Sequence, residues 1–274
     1  MRSSRRPRRR WAMGVATLAA GLLAALSAAP ANAVTDGALD GDGHPYVGLM
    51  VARDASGAPL WRCSGTLISA NVYLTAGHCT EAPAKSAVIY FAADVQSLAG
   101  YPNSGYDATG TTYTHPDYNP DAFFVRDLGV VVLDKPVDKV TYGALPRLDS
   151  LDALKTKRGL TKQTFTSVGY GLQKSFPDAA AWKESALKIR MVATPRLIQL
   201  NAPGFTGDFS MLLSNNANTG GTCFGDSGGP NFLGNTNVVA GVTSFGMNST
   251  CGGTGGVFRM DRSWALDWVN TFLG

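Results

Sequence analysis

The chain has 274 residues, with 24 Lys and Arg against 20 Asp and Glu. Six of the basic residues are arginines within residues 2–10, so removal of segment 1–33 leaves 18 basic against 20 acidic residues and a net charge of −2. This balance excludes the broad positive surface that nucleic acids or anionic membranes attract. The remaining 241 residues, 34–274, suffice for one large or two small hydrophobic cores.

The N-terminal segment has the order of a secretory signal peptide. The arginines precede an apolar run over 12–29, and Ala31-Asn32-Ala33 forms a small-x-small cleavage site. A transmembrane anchor is the alternative, but the run is rich in Ala and Gly and has no basic stop. We expect cleavage after Ala33, secretion, and no membrane attachment afterwards. The many arginines leave open whether a twin-arginine route is used.

The predicted elements are short strands with a helix only at the end. Apolar runs of four to nine residues, separated by Gly, Pro, Asn and Asp clusters, predict strands at 46–53, 61–69, 72–76, 88–92, 128–133, 164–170, 187–193, 238–245 and 257–260. Aromatic residues every four positions predict an α-helix over 263–272. Residues 151–158 form another helical candidate. The pattern indicates an all-β sandwich or barrel that divides near residue 150.

Four cysteines remain in the mature chain, at positions 63, 79, 223 and 251. An even number outside the cytosol indicates two disulfides, and three pairings are open at this point. Neither the cysteines nor the histidines have zinc-ligand spacing, so no metal site is predicted. Residues 36–43 resemble a calcium loop but lack its ligand spacing and closing Glu, so we expect a solvated turn.

A serine within the segment 225–230, Gly-Asp-Ser-Gly-Gly-Pro, is the candidate nucleophile. Glycines on both sides of Ser227 permit a tight bend that brings N–H groups close to a substrate carbonyl. The segment also fits the nucleophile elbow of α/β-hydrolases. Those enzymes need a base histidine after the serine, and every histidine of this chain precedes Ser227. The hydrolase interpretation is therefore excluded.

His78 is the candidate base among the three histidines. It directly follows a predicted strand and precedes Cys79, a rigid place for an imidazole that must accept the serine proton. His44 and His115 each precede a proline in turn-like surroundings, so we expect structural or exposed roles for them.

Asp127 is the candidate carboxylate that orients the histidine. It opens the apolar run 128–133 and gives the chain order His, Asp, Ser. Asp117, Asp121 and Asp134 are weaker rivals. The subtilisin order would need an aspartate before His78 and a helix-rich pattern, which the sequence lacks.

These motifs resemble the chymotrypsin-like (trypsin-fold) serine peptidases over the whole mature length, and in particular a secreted, bacterial-type member. The resemblance rests on segments in family order at 63–68 (CSGTLI), 75–79 (TAGHC), 127–130 (DLGV), 168–171 (VGYG), 225–230 (GDSGGP) and 244–246 (SFG). It implies two six-stranded antiparallel β-barrels and a C-terminal helix, divided as 34–150 and 151–274.

The resemblance also implies the chemistry and its partners. Ser227 would attack the acyl carbon, His78 would transfer the proton, and the N–H groups of Gly225 and Ser227 would stabilise the oxyanion. Polypeptides are the implied substrates and protein protease inhibitors the implied partners, with no cofactor, no metal and a monomeric chain. The alternative is a catalytically silent homologue that acts as a binding protein. Such proteins usually lose a triad residue, whereas all three are present here.

The implied disulfides are Cys63–Cys79 and Cys223–Cys251. Leu213 stands where many relatives have a cysteine of another disulfide, so we expect a looser segment over 201–221.

Two finer expectations come from the family alignment. The mature N-terminus, Val34, would pair through its α-amino group with Asp226. The primary specificity pocket (S1) would have Gly221 at its floor and small or neutral residues at its walls, namely Ser244, Phe245, Gly246 and Gly256. Without an aspartate at the floor, this pocket would favour Phe, Tyr, Leu or Met on the acyl side of the cleaved bond.

Overall fold

A computed structural model describes residues 34–122, 125–155, 162–173, 187–202 and 205–274. The predicted signal peptide, residues 1–33, lies outside these ranges. Ala31–Gly274 form one compact unit.

The described strands and helix, in chain order, are β1 (Ala38–Leu39), β2 (Val47–Arg53), β3 (Pro59–Leu67), β4 (Val72–Thr75), β5 (Ser86–Tyr90), β6 (Ala108–Thr114), β7 (Gly129–Leu133), β8 (Phe165–Gly169), β9 (Met191–Ala193), β10 (Leu197–Ala202), β11 (Gly207–Asn215), β12 (Pro230–Leu233), β13 (Val239–Gly246), β14 (Gly253–Arg259) and α1 (Ser263–Asn270).

The first half of the chain closes a six-stranded antiparallel barrel in the order β2-β3-β4-β7-β6-β5. Several of its strands are runs of buried residues, such as Val72–Thr75 in β4. Pairing of β5 with β2, in register from Leu49–Tyr90 to Arg53–Ser86, closes the ring and leaves no free strand edge. This barrel agrees with the expectation from the sequence.

The second half forms an eight-stranded antiparallel sheet in the order β1-β9-β8-β12-β13-β14-β11-β10. An isolated bridge between Thr164 and Arg196 connects the start of β8 to the start of β10. The adjacent Phe165 N–H donates to Pro195 O at 2.9 Å. The sheet thus curls towards closure, but the described residues form one closed barrel and one partly closed sheet instead of two closed six-stranded barrels.

The helix α1 packs through the aromatic face that the sequence predicts. Trp264 contacts Phe258 of β14 at a ring-centroid distance of 4.7 Å, and Trp268 contacts His115 at 5.1 Å. Ala265 and Val269 are fully buried beside them. In contrast, the second helical candidate, 151–158, is a short 3-10 helix at Ser150–Leu154, and residues 156–158 lie outside the described ranges.

The segment 201–221, which was expected to be looser, contains β11, and this strand pairs with β14 from Ser210–Phe258 to Asn215–Gly253. Leu213, at the position of the missing cysteine, is buried in the apolar core of this sheet. The turn 36–43 is mostly exposed, as expected, although the Asp40 side chain within it is only 2% exposed.

A buried arginine explains the environment of Asp40. Arg190 Nε donates to Asp40 Oδ2 at 2.8 Å, and its Nη1 donates to Val47 O at 3.2 Å, Phe91 O at 2.9 Å and Tyr170 Oη at 3.1 Å. These partners belong to the N-terminal segment, the first barrel and the chain after β8. One buried cation therefore connects both halves of the fold, and its charge is balanced by a carboxylate as burial requires.

Candidate active site

His78 lies in a short 3-10 helix, Gly77–Cys79, directly after β4. The next residue, Cys79, forms a disulfide with Cys63 of β3. Trp61 Nε1–H also donates to Cys79 O at 2.9 Å. These links fix the backbone at the imidazole. The other disulfide joins Cys223 to Cys251, so both pairs are those that the resemblance implies.

Asp127 lies beneath His78, just before β7, and is fully buried. Its Oδ1 accepts the backbone N–H of His78 at 2.9 Å, and its Oδ2 contacts His78 Nδ1 at 2.8 Å. Ser244 Oγ–H donates to the same Oδ2 at 2.6 Å. Because a carboxylate accepts hydrogen bonds, the proton of a neutral His78 lies on Nδ1. Its Nε2 is therefore available as a base.

The electrostatic environment raises the pKa of His78 above the ordinary histidine value. Burial alone acts in the opposite direction, but the charge and hydrogen bond of Asp127 and the charge of Glu81 outweigh it. The histidine side chain remains 24% exposed, whereas that of Asp127 is not exposed at all. This arrangement stabilises an imidazolium, as a proton acceptor requires.

Ser227 lies in a tight turn after Cys223. Gly225 has φ of +95° and Gly228 has φ of +81°, conformations that glycine adopts without steric cost. Ser64 of β3 fixes this turn, because its N–H donates to Ser227 O at 2.8 Å and its Oγ–H donates to Gly225 O at 2.9 Å.

The described contacts leave several groups of this turn available. Neither the Gly225 N–H nor the Ser227 N–H donates a hydrogen bond to any described residue. The side chains of Ser227 and His78 do not hydrogen-bond to each other in the described chain. Unliganded enzymes often have long catalytic hydrogen bonds that tighten when substrate binds.

A cavity of about 580 Å³ contains both His78 and Ser227. It is lined by His78, Glu81, Tyr118, Pro120, Thr222, Cys223, Phe224, Ser227, Thr243, Ser244, Phe245, Gly246, Asn248, Ser249 and Cys251. Glu81 is the sole acidic residue in this lining. The Tyr118 hydroxyl donates to Glu81, and burial followed by the charges of Asp127 and Glu81 raises the pKa of Tyr118.

The expected S1 residues are only partly in this cavity. Ser244, Phe245 and Gly246 line it, but Gly221 and Gly256 do not. Gly221 instead pairs with Thr35 and packs against Asn215, where a methyl group would collide with the amide. A methyl group on Gly256 would collide with the Phe245 ring, so this glycine makes room for the aromatic wall.

Several cavity residues were missed by sequence reasoning. Thr222 and Phe224 adjoin Cys223, and Asn248 and Ser249 follow β13. Glu81 follows His78 by three residues in the same turn, which was an available but unused signal. Ser244 was expected as a pocket wall, and its hydrogen bond to Asp127 was not expected.

No hydrogen bond or ion pair joins Val34 to Asp226 within the described residues. Val34 is buried beside Met191 and Ala193. The fully buried carboxylate of Asp226 accepts the N–H groups of Gly171 at 2.8 Å and Cys223 at 2.9 Å. Burial raises the pKa of Asp226 to about 7, although these hydrogen bonds and the charge of Arg62 oppose the shift.

The other candidate residues lie outside the cavity. His44 contacts Asp40 at 2.5 Å, and His115 packs against α1. Asp117 forms an ion pair with Arg126 at 2.7 Å. Cys63, His78 and Cys79 lie close enough together to suggest a metal cluster. However, both sulfurs belong to one disulfide, and a metal ligand must be a thiolate.

The fold and the cavity are those expected of a serine-type endopeptidase. A family model described as Trypsin matches residues 41–269, so the chain belongs to the trypsin family.

The relatives agree with this family. The chain is 27% identical over 237 residues to chymotrypsin of Phaedon cochleariae, covering 83% of this chain and 77% of the relative. It is 28% identical over 224 residues to brachyurin of Leptuca pugilator, covering 78% and 89%. These relatives are eukaryotic, so the bacterial-type expectation receives no support from them.

Solved structures share the fold. The HL collagenase structure superposes with a TM-score of 0.65 at 22% identity, covering 88% of this chain and 98% of that one. A mutant of human heparin binding protein superposes with a TM-score of 0.62 at 18% identity, covering 87% and 96%. None of the helices in the described ranges has the length and hydrophobicity needed to span a bilayer.

Proposed function

We propose that the mature chain, 34–274, is a secreted endopeptidase that cleaves polypeptides through Ser227, His78 and Asp127. The observation that carries this proposal is the buried Asp127 carboxylate, which lies 2.8 Å from Nδ1 of His78, a residue that lines the same cavity as Ser227. Residues 34–150 would provide the base and its carboxylate, and residues 151–274 the nucleophile and the pocket.

The mechanism follows from these positions. Ser227 Oγ attacks the acyl carbon while His78 Nε2 accepts its proton. Asp127 keeps neutral His78 in the tautomer with its proton on Nδ1 and stabilises the imidazolium that forms. The Gly225 and Ser227 N–H groups then bind the oxyanion, and one such donor contributes about 3–4 kcal/mol. His78 returns the proton to the leaving amine, and water hydrolyses the acyl-enzyme by the same steps.

The cavity supports a preference for a large apolar residue on the acyl side of the cleaved bond. Its volume of about 580 Å³ and its walls of Phe224, Phe245 and the Cys223–Cys251 disulfide suit an aromatic or long aliphatic side chain. The neighbouring Thr222 and Ser244 are uncharged. With no carboxylate at that end, a Lys or Arg side chain would lose its hydration without gaining an ion pair.

We also propose that signal cleavage after Ala33 creates an α-amino group on Val34 that pairs with Asp226. A buried carboxylate whose pKa is raised to about 7 gains stabilisation from a cation. This pairing would be a new contact, since no hydrogen bond or ion pair joins Val34 to Asp226 in the described part of the chain.

Digestion of a denatured protein mixture by purified 34–274 tests these assignments. The control variants are Ser227→Ala, which removes the nucleophile, and Ser97→Ala, the same change at an exposed serine outside the cavity. We expect cuts after Phe, Tyr, Leu or Met with the wild type and Ser97→Ala but not with Ser227→Ala. Cuts after Lys or Arg would overturn the pocket assignment. Absence of cutting by the wild type would favour the binding-protein alternative.

A further inference from the structure

Arg62 of β3 lies beside the turn that contains the nucleophile, outside the cavity described above. Its Nη1 donates to Tyr170 O at 3.1 Å, which anchors the guanidinium. A methyl group added to Gly225 would lie 3.6 Å from the guanidinium carbon of Arg62. The cation is therefore adjacent to a residue proposed to donate to the oxyanion.

The position of Arg62 relative to the cavity assigns it to one side of the cleaved bond. The acyl pocket is formed by residues around Thr222–Phe224 and Ser244–Cys251. Gly225 is also approached by Gly171, Tyr170 and Arg62, none of which lines the cavity. A substrate with its acyl side chain in the pocket and its carbonyl at Gly225 would extend its leaving-group residues towards Arg62.

The guanidinium has no acidic partner within 4.0 Å in the described part of the chain. The charge of Arg62 acts on the pKa of Asp226, but that carboxylate is fully buried and already accepts two backbone N–H groups. Burial lowers the pKa of Lys188, and the nearby charge of Arg62 adds to this shift. Lys188 therefore adds positive charge near Arg62, and Arg62 itself is partly buried, with one of its five N–H donors hydrogen-bonded to Tyr170 O.

The backbone at Arg62 is rigid enough for a binding role. Trp61 is fixed by its hydrogen bond to Cys79 O, and Cys63 by its disulfide to Cys79. Both neighbours of Arg62 are therefore attached to the turn that contains His78, so a charge on this strand keeps a constant distance from the reacting groups.

We propose that Arg62 is a specificity-determining residue that binds a side-chain carboxylate, Asp or Glu, within the first two substrate residues on the leaving-group side. This inference rests on the proposed function, because it assumes that the substrate extends past Ser227. A guanidinium binds carboxylates in a fixed, bidentate geometry, which favours this class of ligand.

Amidated peptides with one shared acyl-side sequence ending in Phe test the proposal. They differ only in Asp, Asn or Lys at the first or second leaving-group position, and the amide removes the terminal carboxylate as a competing ligand. We expect wild-type kcat/KM to be about 5- to 10-fold higher for Asp than for Asn, as for a partly exposed charged pair. The ratio of kcat/KM for the Asp peptide to that for the Asn peptide should approach one in Arg62→Gln, persist in Arg62→Lys, and fall at high salt.

Lys135→Gln is the matched control, since it removes one positive charge at an exposed position after β7. Its Asp-to-Asn ratio should equal that of the wild type. An equal ratio in Arg62→Gln and wild type would overturn the proposal, as would a loss of the ratio in Lys135→Gln.

Binding of the same labelled peptides to Ser227→Ala, with and without Arg62→Gln, separates this inference from the proposed function. If no protein cleaves peptides, the endopeptidase proposal fails, and the binding data still decide the role of Arg62. Tighter binding of the Asp peptide that depends on Arg62 supports the inference. Equal binding of Asp and Asn peptides overturns it.

Discussion

Adding one residue before Val34 should make the stability of the folded chain strongly dependent on pH. A chain that starts at Ala33 has no α-amino group on Val34, so Asp226 stays buried without a cation. Its pKa is then about 7, compared with 3.8 for the exposed group. A difference of about three pH units corresponds to about 4 kcal/mol, at 1.36 kcal/mol per unit.

The direction of this pH dependence follows from the number of protons that the folded and unfolded chains bind. Between these two pKa values the folded chain holds a proton on Asp226 that the unfolded chain has lost. The free energy of unfolding therefore decreases as pH rises through this window. In the chain that starts at Val34, a paired Asp226 would ionise at lower pH, and this decrease would be absent. Other groups with shifted pKa values, such as Asp40 and His115, are common to both chains, so their contributions cancel when the two pH dependences are compared.

Urea denaturation at about pH 4 and about pH 8 measures the effect, with Ser227→Ala in both chains to prevent self-digestion. We expect the Ala33 chain to lose about 4 kcal/mol more than the Val34 chain over this range. An Asp226→Asn variant of the Ala33 chain should lose the extra pH dependence. The reasoning is refuted if this variant and its parent have the same pH profile.

Three further changes test the contacts around the cavity and the core. Ser244→Ala removes a hydrogen bond to the Asp127 carboxylate and should lower kcat/KM by about tenfold; unchanged kinetics would show that Asp127 is oriented without it. Replacing Cys63 and Cys79 by Ala should lower the free energy of unfolding in urea by about 3 kcal/mol, and a loss under about 1 kcal/mol would contradict this. Arg190→Met should cost about 3–5 kcal/mol in the same assay because it removes the guanidinium that pairs with the buried Asp40 carboxylate and leaves His44 as its remaining described side-chain partner; wild-type stability would refute that reasoning.

Sequence patterns located the first barrel well because most of its strands are runs of large apolar residues. They missed β6, Ala108–Thr114, which alternates small buried residues with exposed Thr and Tyr. They also missed β12, Pro230–Leu233, which is short and begins with proline. Such strands form because neighbouring strands supply their hydrogen bonds and burial, which a local pattern does not contain.

The candidate site was predictable where chemistry restricts the residue type. Motif order singled out His78, Asp127 and Ser227. In the structure His78 and Ser227 line one cavity, and Asp127 is buried beneath His78. The pocket was harder, because its lining depends on side-chain direction. Gly221 and Gly256 occupy positions near the cavity without lining it, and Ser244 points to Asp127.

The buried Arg190 has a consequence for how the chain can be divided or exchanged. A fragment ending near residue 150 would retain Asp40 but lose the guanidinium that balances it, and the complementary fragment would bury a cation with no counterion. Neither fragment should fold independently, although a disordered fragment could still associate with its complement. Chimaeras with a relative's barrel would inherit the same requirement, because the donor must supply an acid at the place of Asp40.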